Sequence, residues 1–96
     1  MYLNYEQIPV AGVVLTAAAL TIPEGTLRVQ LQATGNNIRY TLDGVINPAV
    51  AFGMLLIVGH DPIWVEREDL ANIHFISGAV GAALLDVNYY TTRMNV

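Results

Sequence analysis

Residues 27–44 read LRVQLQATGNNIRYTLDG. Leu27, Val29, Leu31 and Ala33 alternate with Arg28, Gln30 and Gln32, which is the two-residue period of a strand with one apolar face. Gly35-Asn36-Asn37 follows, a run that tolerates the reversed backbone of a tight turn. Alternation then resumes, with Ile38, Tyr40 and Leu42 set against Arg39, Thr41 and Asp43, and Asp43-Gly44 ends the segment. The simplest reading is a hairpin. Its return arm points Tyr40 and Leu42 inward. Arg28, Gln30, Gln32, Arg39, Thr41 and Asp43 would then share one flat polar face.

Upstream, Val10 to Leu20 is an apolar run broken only by Gly12 and Thr16, and it predicts a buried first strand. It is too short to span a bilayer. The preceding MYLNYEQIP carries Glu6 and Pro9 and no basic residue, unlike the start of a signal peptide. Ile22-Pro23-Glu24-Gly25 is a turn. Downstream, Val45 to Phe52 reads as a loop around Pro48. Gly53 to Val58 is an apolar strand, and Gly59-His60-Asp61-Pro62 a turn. Ile63 to Glu66 is a short strand, and the acids before Leu70 suit one helical turn. Ile73 to Ser77 is a strand, Gly78 to Gly81 a turn, and Ala82 to Tyr90 the last strand, with Ala83, Leu85, Val87 and Tyr89 on one face.

This pattern predicts an all-β fold, a β-sandwich or jelly-roll-like barrel of seven or eight short antiparallel strands. The expected core is Leu27, Val29, Leu31, Ile38, Tyr40, Leu42, Leu55, Ile57, Phe75, Leu85 and Val87. Ninety-six residues make a single β domain over 1–96. Residues 1–9 read as an N-terminal docking arm and 91–96 as a C-terminal tail.

Composition narrows the function. The chain is 54% hydrophobic and 12% charged, against about 25% charged in ordinary soluble domains. A small domain has much surface to cover, and these charges are too few to cover it. Apolar surface is left over for a partner, so a homo-oligomer or assembly component is expected. The net charge is −4, with Arg28, Arg39, Arg67 and Arg93 as the only basic side chains besides two histidines. That balance argues against nucleic acid and against anionic membrane surfaces. There is no cysteine, which excludes disulfides and thiolate metal sites.

No constellation suggests catalysis. His60 sits in a Gly/Pro turn and His74 on a strand, short of the three or four converging ligands a metal needs. Glu66, Glu68 and Asp69 crowd one turn instead of facing each other across a cleft. Ser77 is the only serine, and no nucleophile elbow surrounds it. The expectation is therefore a non-enzyme without metal or cofactor. Interface candidates are Tyr2, Tyr5, Arg28, Arg39, Trp64, Tyr90 and Arg93, of types enriched at contact surfaces. Trp64 has two readings. It points outward if Ile63 and Val65 face the core, and it is core if the strand is buried on both sides. A single tryptophan argues against a sugar-stacking surface.

The motif order TLRVQLQATGNNIRYTLDG, GMLLIVGHD, REDLANIHFI and ALLDVNYY resembles the small phage virion proteins that decorate or cement a capsid. That resemblance, over residues 10 to 90, implies a β-rich, often trimeric protein. It would bind the major capsid protein on the outer surface of the virion and stabilise the shell without catalysis. A head–tail adaptor differs from it only in location. IRYTLDG also resembles a strand of the Ig-like module that ends some chitin-degrading hydrolases. That second resemblance implies a carbohydrate-linked accessory module.

Overall fold

The computed structural model describes residues 2–49, 53–78 and 81–91. The alternating segments become strands β1 (Tyr2–Val10), β2 (Leu15–Thr16), β3 (Arg28–Thr34), β4 (Ile38–Thr41), β5 (Met54–Leu56), β6 (Ile63–Glu66), β7 (His74–Ser77) and β8 (Ala83–Tyr90). A 3₁₀ turn spans Ala17–Ala19, and the one helical turn, α1, spans Arg67–Leu70. Leu70, which follows the exposed acids Glu68 and Asp69, is fully buried.

One sheet has the order β1-β8-β3-β6 and the other β2-β7-β4-β5. Neighbours in both are antiparallel. Strand 1 thus pairs with 8, 2 with 7, 3 with 6 and 4 with 5. These are the pairings of one long hairpin folded over on itself, the order of an eight-stranded jelly roll. The fold is an all-β sandwich, and its two sheets do not close into a barrel.

Between the sheets, Val29, Leu31 and Ala33 of β3 and Ala83, Leu85, Val87 and Tyr89 of β8 meet Ile38 and Tyr40 of β4, Leu56 of β5 and Phe75 of β7. Every second residue of β3 and β8 is buried and the residues between are half-covered or exposed. The period-2 apolar pattern therefore builds the core directly.

Four expectations are corrected. The hairpin is the first. β3 and β4 do not pair, because β3 lies between β8 and β6 while β4 lies between β7 and β5. Gly35, at φ +85°, turns the chain from one sheet to the other. Asn36 Nδ2 donates to Ala82 O at the start of β8 (2.7 Å). Val58 N donates to Asn37 Oδ1 (2.8 Å), and Gly78 N to Asn37 O (2.6 Å), beside the other sheet. The turn is a corner, and the apolar faces of β3 and β4 meet across the core instead of lying side by side. The flat polar face expected of Arg28 and Arg39 fails with it, since those arginines lie on opposite outer surfaces.

The second correction is the run from Val10 to Leu20. Val10 ends β1, the chain crosses at Ala11, and Ser77 N donates to Ala11 O (3.0 Å) to fix that crossing. Val13 is 71% exposed. The third is the N-terminal segment. Residues 2–10 are the edge strand of the larger sheet, zipped to β8 from Tyr2–Tyr90 to Val10–Ala83.

The fourth lies in β5, whose unbroken apolar sequence offers no alternation to read. Its register places Leu56 opposite inward Ile38 and Leu55 opposite outward Arg39. Leu56 is buried and Leu55 is 37% exposed. Ile57, Leu27 and Leu42 are partly buried, and Leu42 packs against the core from its margin.

Candidate functional site

The outer face of the first sheet follows from strand register. Tyr2, Tyr90, Arg28 and Glu66 stand in one row across β1, β8, β3 and β6. Tyr5, Asn88, Gln30 and Trp64 form the next row, and Gln7, Asp86 and Gln32 the one after. Val65 is buried, and Ile63 packs against the core. Trp64 therefore points outward from β6, as Glu66 does, the first of its two readings.

In the first two rows the aromatic rings close around a cation. The Arg28 guanidinium carbon lies 4.0 Å from the Trp64 ring centre and 5.6 Å from that of Tyr90. Trp64 and Tyr90 are 5.2 Å apart at 57°, and Tyr2 and Tyr90 5.5 Å apart at 72°. These are the tilted and edge-on geometries that ring quadrupoles favour. The cation over the indole adds attraction of about 0.5–1 kcal/mol at a partly exposed site. Among the described residues, Arg28 Nε is buried with no hydrogen-bond partner. Tyr2 is 49% exposed and Tyr5 46%.

The third row is a carboxylate clamp. Asp86 on β8 accepts from Tyr5 Oη (2.7 Å), from Gln7 Nε2 (2.8 Å) and from Thr34 Oγ1. Partial burial pushes the Asp86 carboxyl up, but the Thr34, Tyr5 and Gln7 donors outweigh it and hold it below the ordinary range. Tyr5 is pushed up, first by its bond to Asp86, then by desolvation and the Asp86 charge. On the inner side of β1, Glu6 accepts from the Tyr89 hydroxyl and from Thr21 N (2.8 Å). Desolvation, then the bond to Glu6 and its charge, push Tyr89 far above the usual tyrosine value. These carboxylates fasten β1 from both faces.

Tyr2, Tyr5, Arg28, Trp64 and Tyr90 thus come together on one face. Arg39 does not join them. It lies on the second sheet, where its Nη1 donates to Gly53 O (2.9 Å). Arg93 lies outside the described residues, as does the rest of 92–96. Tyr89 belongs to the core. The carboxylate clamp was missed in the sequence because Asp86 lies 81, 79 and 52 positions from Tyr5, Gln7 and Thr34, and only strand order brings them together.

The remaining polar candidates serve the loops. His74 Nδ1 is 2.7 Å from Asn47 Oδ1, and the carbonyl of exposed His60 accepts from Gln32 Nε2 (3.3 Å). Among the described residues, no group of three potential metal-ligating side chains converges and no cavity is present. No protein-family model, curated protein or solved structure matches the chain.

Proposed function

We propose that the chain is a virion structural protein of the decoration or cement type. It binds the major capsid protein on the outer surface of a phage shell, and it works as a homo-oligomer. The observation that carries this reading is the strip of Tyr2, Tyr90, Arg28 and Trp64 across the open face of the first sheet. Tryptophan, tyrosine and arginine dominate the energetic centres of protein interfaces, and here a rim of Gln30, Asn88, Gln32 and Asp86 surrounds them. The strand order is that of a jelly roll and not the ABED and CFG order of an Ig-like module, so the fold lends the second resemblance no support.

Ring geometry favours a protein partner over a sugar. A saccharide stacks on an open aromatic face, whereas one face of Trp64 is already covered by the Arg28 guanidinium at 4.0 Å. A head–tail adaptor would use the same strip at another place on the virion.

The test is co-sedimentation with shells assembled from the major capsid protein, with a chitin pull-down beside it. Trp64→Ala should weaken shell binding at least about tenfold, the effect of losing an interface anchor worth about 1.4 kcal/mol or more. Leu55→Ala, on the opposite sheet, should bind like the parent. Melting curves separate lost binding from lost folding. Undiminished binding by a folded Trp64→Ala variant would sink the reading, and retention on chitin would replace it with the carbohydrate-linked one.

A further inference from the structure

We propose that β1 is a self-association edge, at which two copies of the chain pair their β1 strands antiparallel about a two-fold axis and join their first sheets into one continuous sheet. The sandwich has four sheet edges. Three are short: β2 has two residues, β5 three, and β6 four before it runs into α1. β1 has nine residues and, among the described residues, pairs only with β8. Among the described residues, no backbone hydrogen bond beyond that ladder involves residues 2–10. A long edge of this kind is a template for another strand unless charges, bulges or prolines blunt it.

The guards on β1 are few, and they select the register. The ladder is irregular between Tyr2 and Asn4, and Pro9 lies near the other end, so the regular edge runs from Asn4 to Ile8. Glu6 is the only charged residue of the strand, and its carboxylate is already bonded to Tyr89 and Thr21 on the core side. Directly opposed residues of an antiparallel pair face the same side of the sheet. Outward Tyr5 must therefore oppose an outward residue of the partner copy.

Placing the axis at Glu6 sets two carboxylates face to face, which is destabilising. Placing it at Gln7 brings Pro9, which cannot donate to a ladder, opposite Tyr5. An axis at Tyr5 avoids both and pairs Asn4, Tyr5 and Glu6 of each copy, the irregularity at Leu3 ending the match of faces beyond them. It sets Tyr5 against the partner copy's Tyr5 as a cross-strand aromatic pair, covers a ring that is 46% exposed, and puts Asn4 opposite Glu6. Such a contact is isologous and closes at two copies, not at the three that the decoration-protein resemblance implies.

This inference is independent of the shell reading and is tested without shells. The chain has no cysteine, so one introduced cysteine reports on one position. Opposed Cα atoms in such a pair lie about 4.5–5.5 Å apart, within disulfide reach. Tyr5→Cys should oxidise to a covalent dimer, while Val13→Cys, exposed but away from the edge, should dimerise like the parent without forming the disulfide. In sedimentation velocity the parent chain should dimerise with concentration. Tyr5→Lys places like charges on the axis while leaving Asp86 a basic partner, and it should raise the dimer dissociation constant at least tenfold with melting largely kept. A parent chain that stays monomeric at millimolar concentration overturns the proposal. So does a dimer indifferent to Tyr5→Lys, or Tyr5→Cys cross-linking no faster than Val13→Cys.

Discussion

The first sheet has strands of nine, eight, seven and four residues, and the second has two, four, four and three. Their outer faces are ordered in different ways. On the first, side chains bond side chains across strands: Tyr5, Gln7 and Thr34 to Asp86, and Asn88 to Gln30. On the second, side chains reach out to loop backbone: Arg39 to Gly53 O and Thr41 to Ile46 O. Strand register sets most of the first face, although Gln32 also reaches the loop carbonyl of His60, whereas loops complete the second. Most of the exposed aliphatics follow the same division, since Val45, Ile46, Met54, Leu55 and Val58 lie on β5 or in the loops that flank it, while Val13 lies between β1 and β2. A face set by register keeps its side chains in fixed rows, which suits it for recognition.

The largest expected effect tests whether the core hangs on the long strands. Leu31 on β3 is fully buried, so Leu31→Ala should cost about 2–5 kcal/mol from lost burial and the cavity left behind. Leu55→Ala on β5 removes an outward side chain and should stay within about 0.5 kcal/mol. Chemical denaturation of the two variants checks the contrast. Equal losses would mean that the second sheet shares the load evenly.

The same contrast explains what was legible in the sequence. Apolar and polar residues alternate along the whole of β3 and from Leu85 to Tyr89 on β8, and one face is buried in each. Those strands, their inward faces and the sandwich class could be read directly. β5 could not, because MLLIV has no polar residue to mark a face, and only pairing with β4 settles it. The corner at Gly35-Asn36-Asn37 was misread for another reason. A hairpin and a sheet-to-sheet corner both turn their apolar faces inward, so alternation cannot tell them apart. The residue types of the aromatic strip were visible, but their adjacency was not. Tyr2 and Tyr90 lie 88 positions apart and meet because strand 1 pairs with strand 8.

A smaller effect concerns acid. Asp86 on the first sheet and Asp43 in a loop of the second are both held below the ordinary carboxylate range. For Asp43 the cause is the backbone N–H groups of Val45 and Ile46, in an exposed turn. A depressed carboxyl favours the folded state when ionised. Its contribution is therefore complete above the unfolded carboxylate value and is lost as pH falls through the folded one. Asp86→Asn should lower the melting temperature at neutral pH, and the gap to the parent should narrow in strong acid. Asp43→Asn should show the same trend more weakly, because its carboxylate ties one exposed turn while Asp86 ties three strands. Melting across a pH series decides, and a gap that widens on acidification would reverse the sign.

The smallest expected effect lies in the strip itself. Arg28→Ala removes a cation from the Trp64 face, a loss of about 0.5–1 kcal/mol at a partly exposed site. It also removes a buried Nε that has no partner among the described residues, and an unmet buried donor costs about 1–3 kcal/mol. The two oppose each other, so folding stability should change by less than about 1 kcal/mol. Arg28→Lys separates them, because an ammonium keeps the charge over the indole and has no Nε to bury. It should be at least as stable as the parent. Arg39→Ala, on the other face, loses its donor bond to Gly53 O and should cost about 0.5–1.5 kcal/mol. Arg28 would then be the less important arginine for folding and, if the strip is an interface, the more important for binding. Denaturation of all three variants, followed through Trp64 fluorescence, measures the order. A loss above about 2 kcal/mol for Arg28→Ala would mean that the guanidinium holds the sheet together and that the strip is structural.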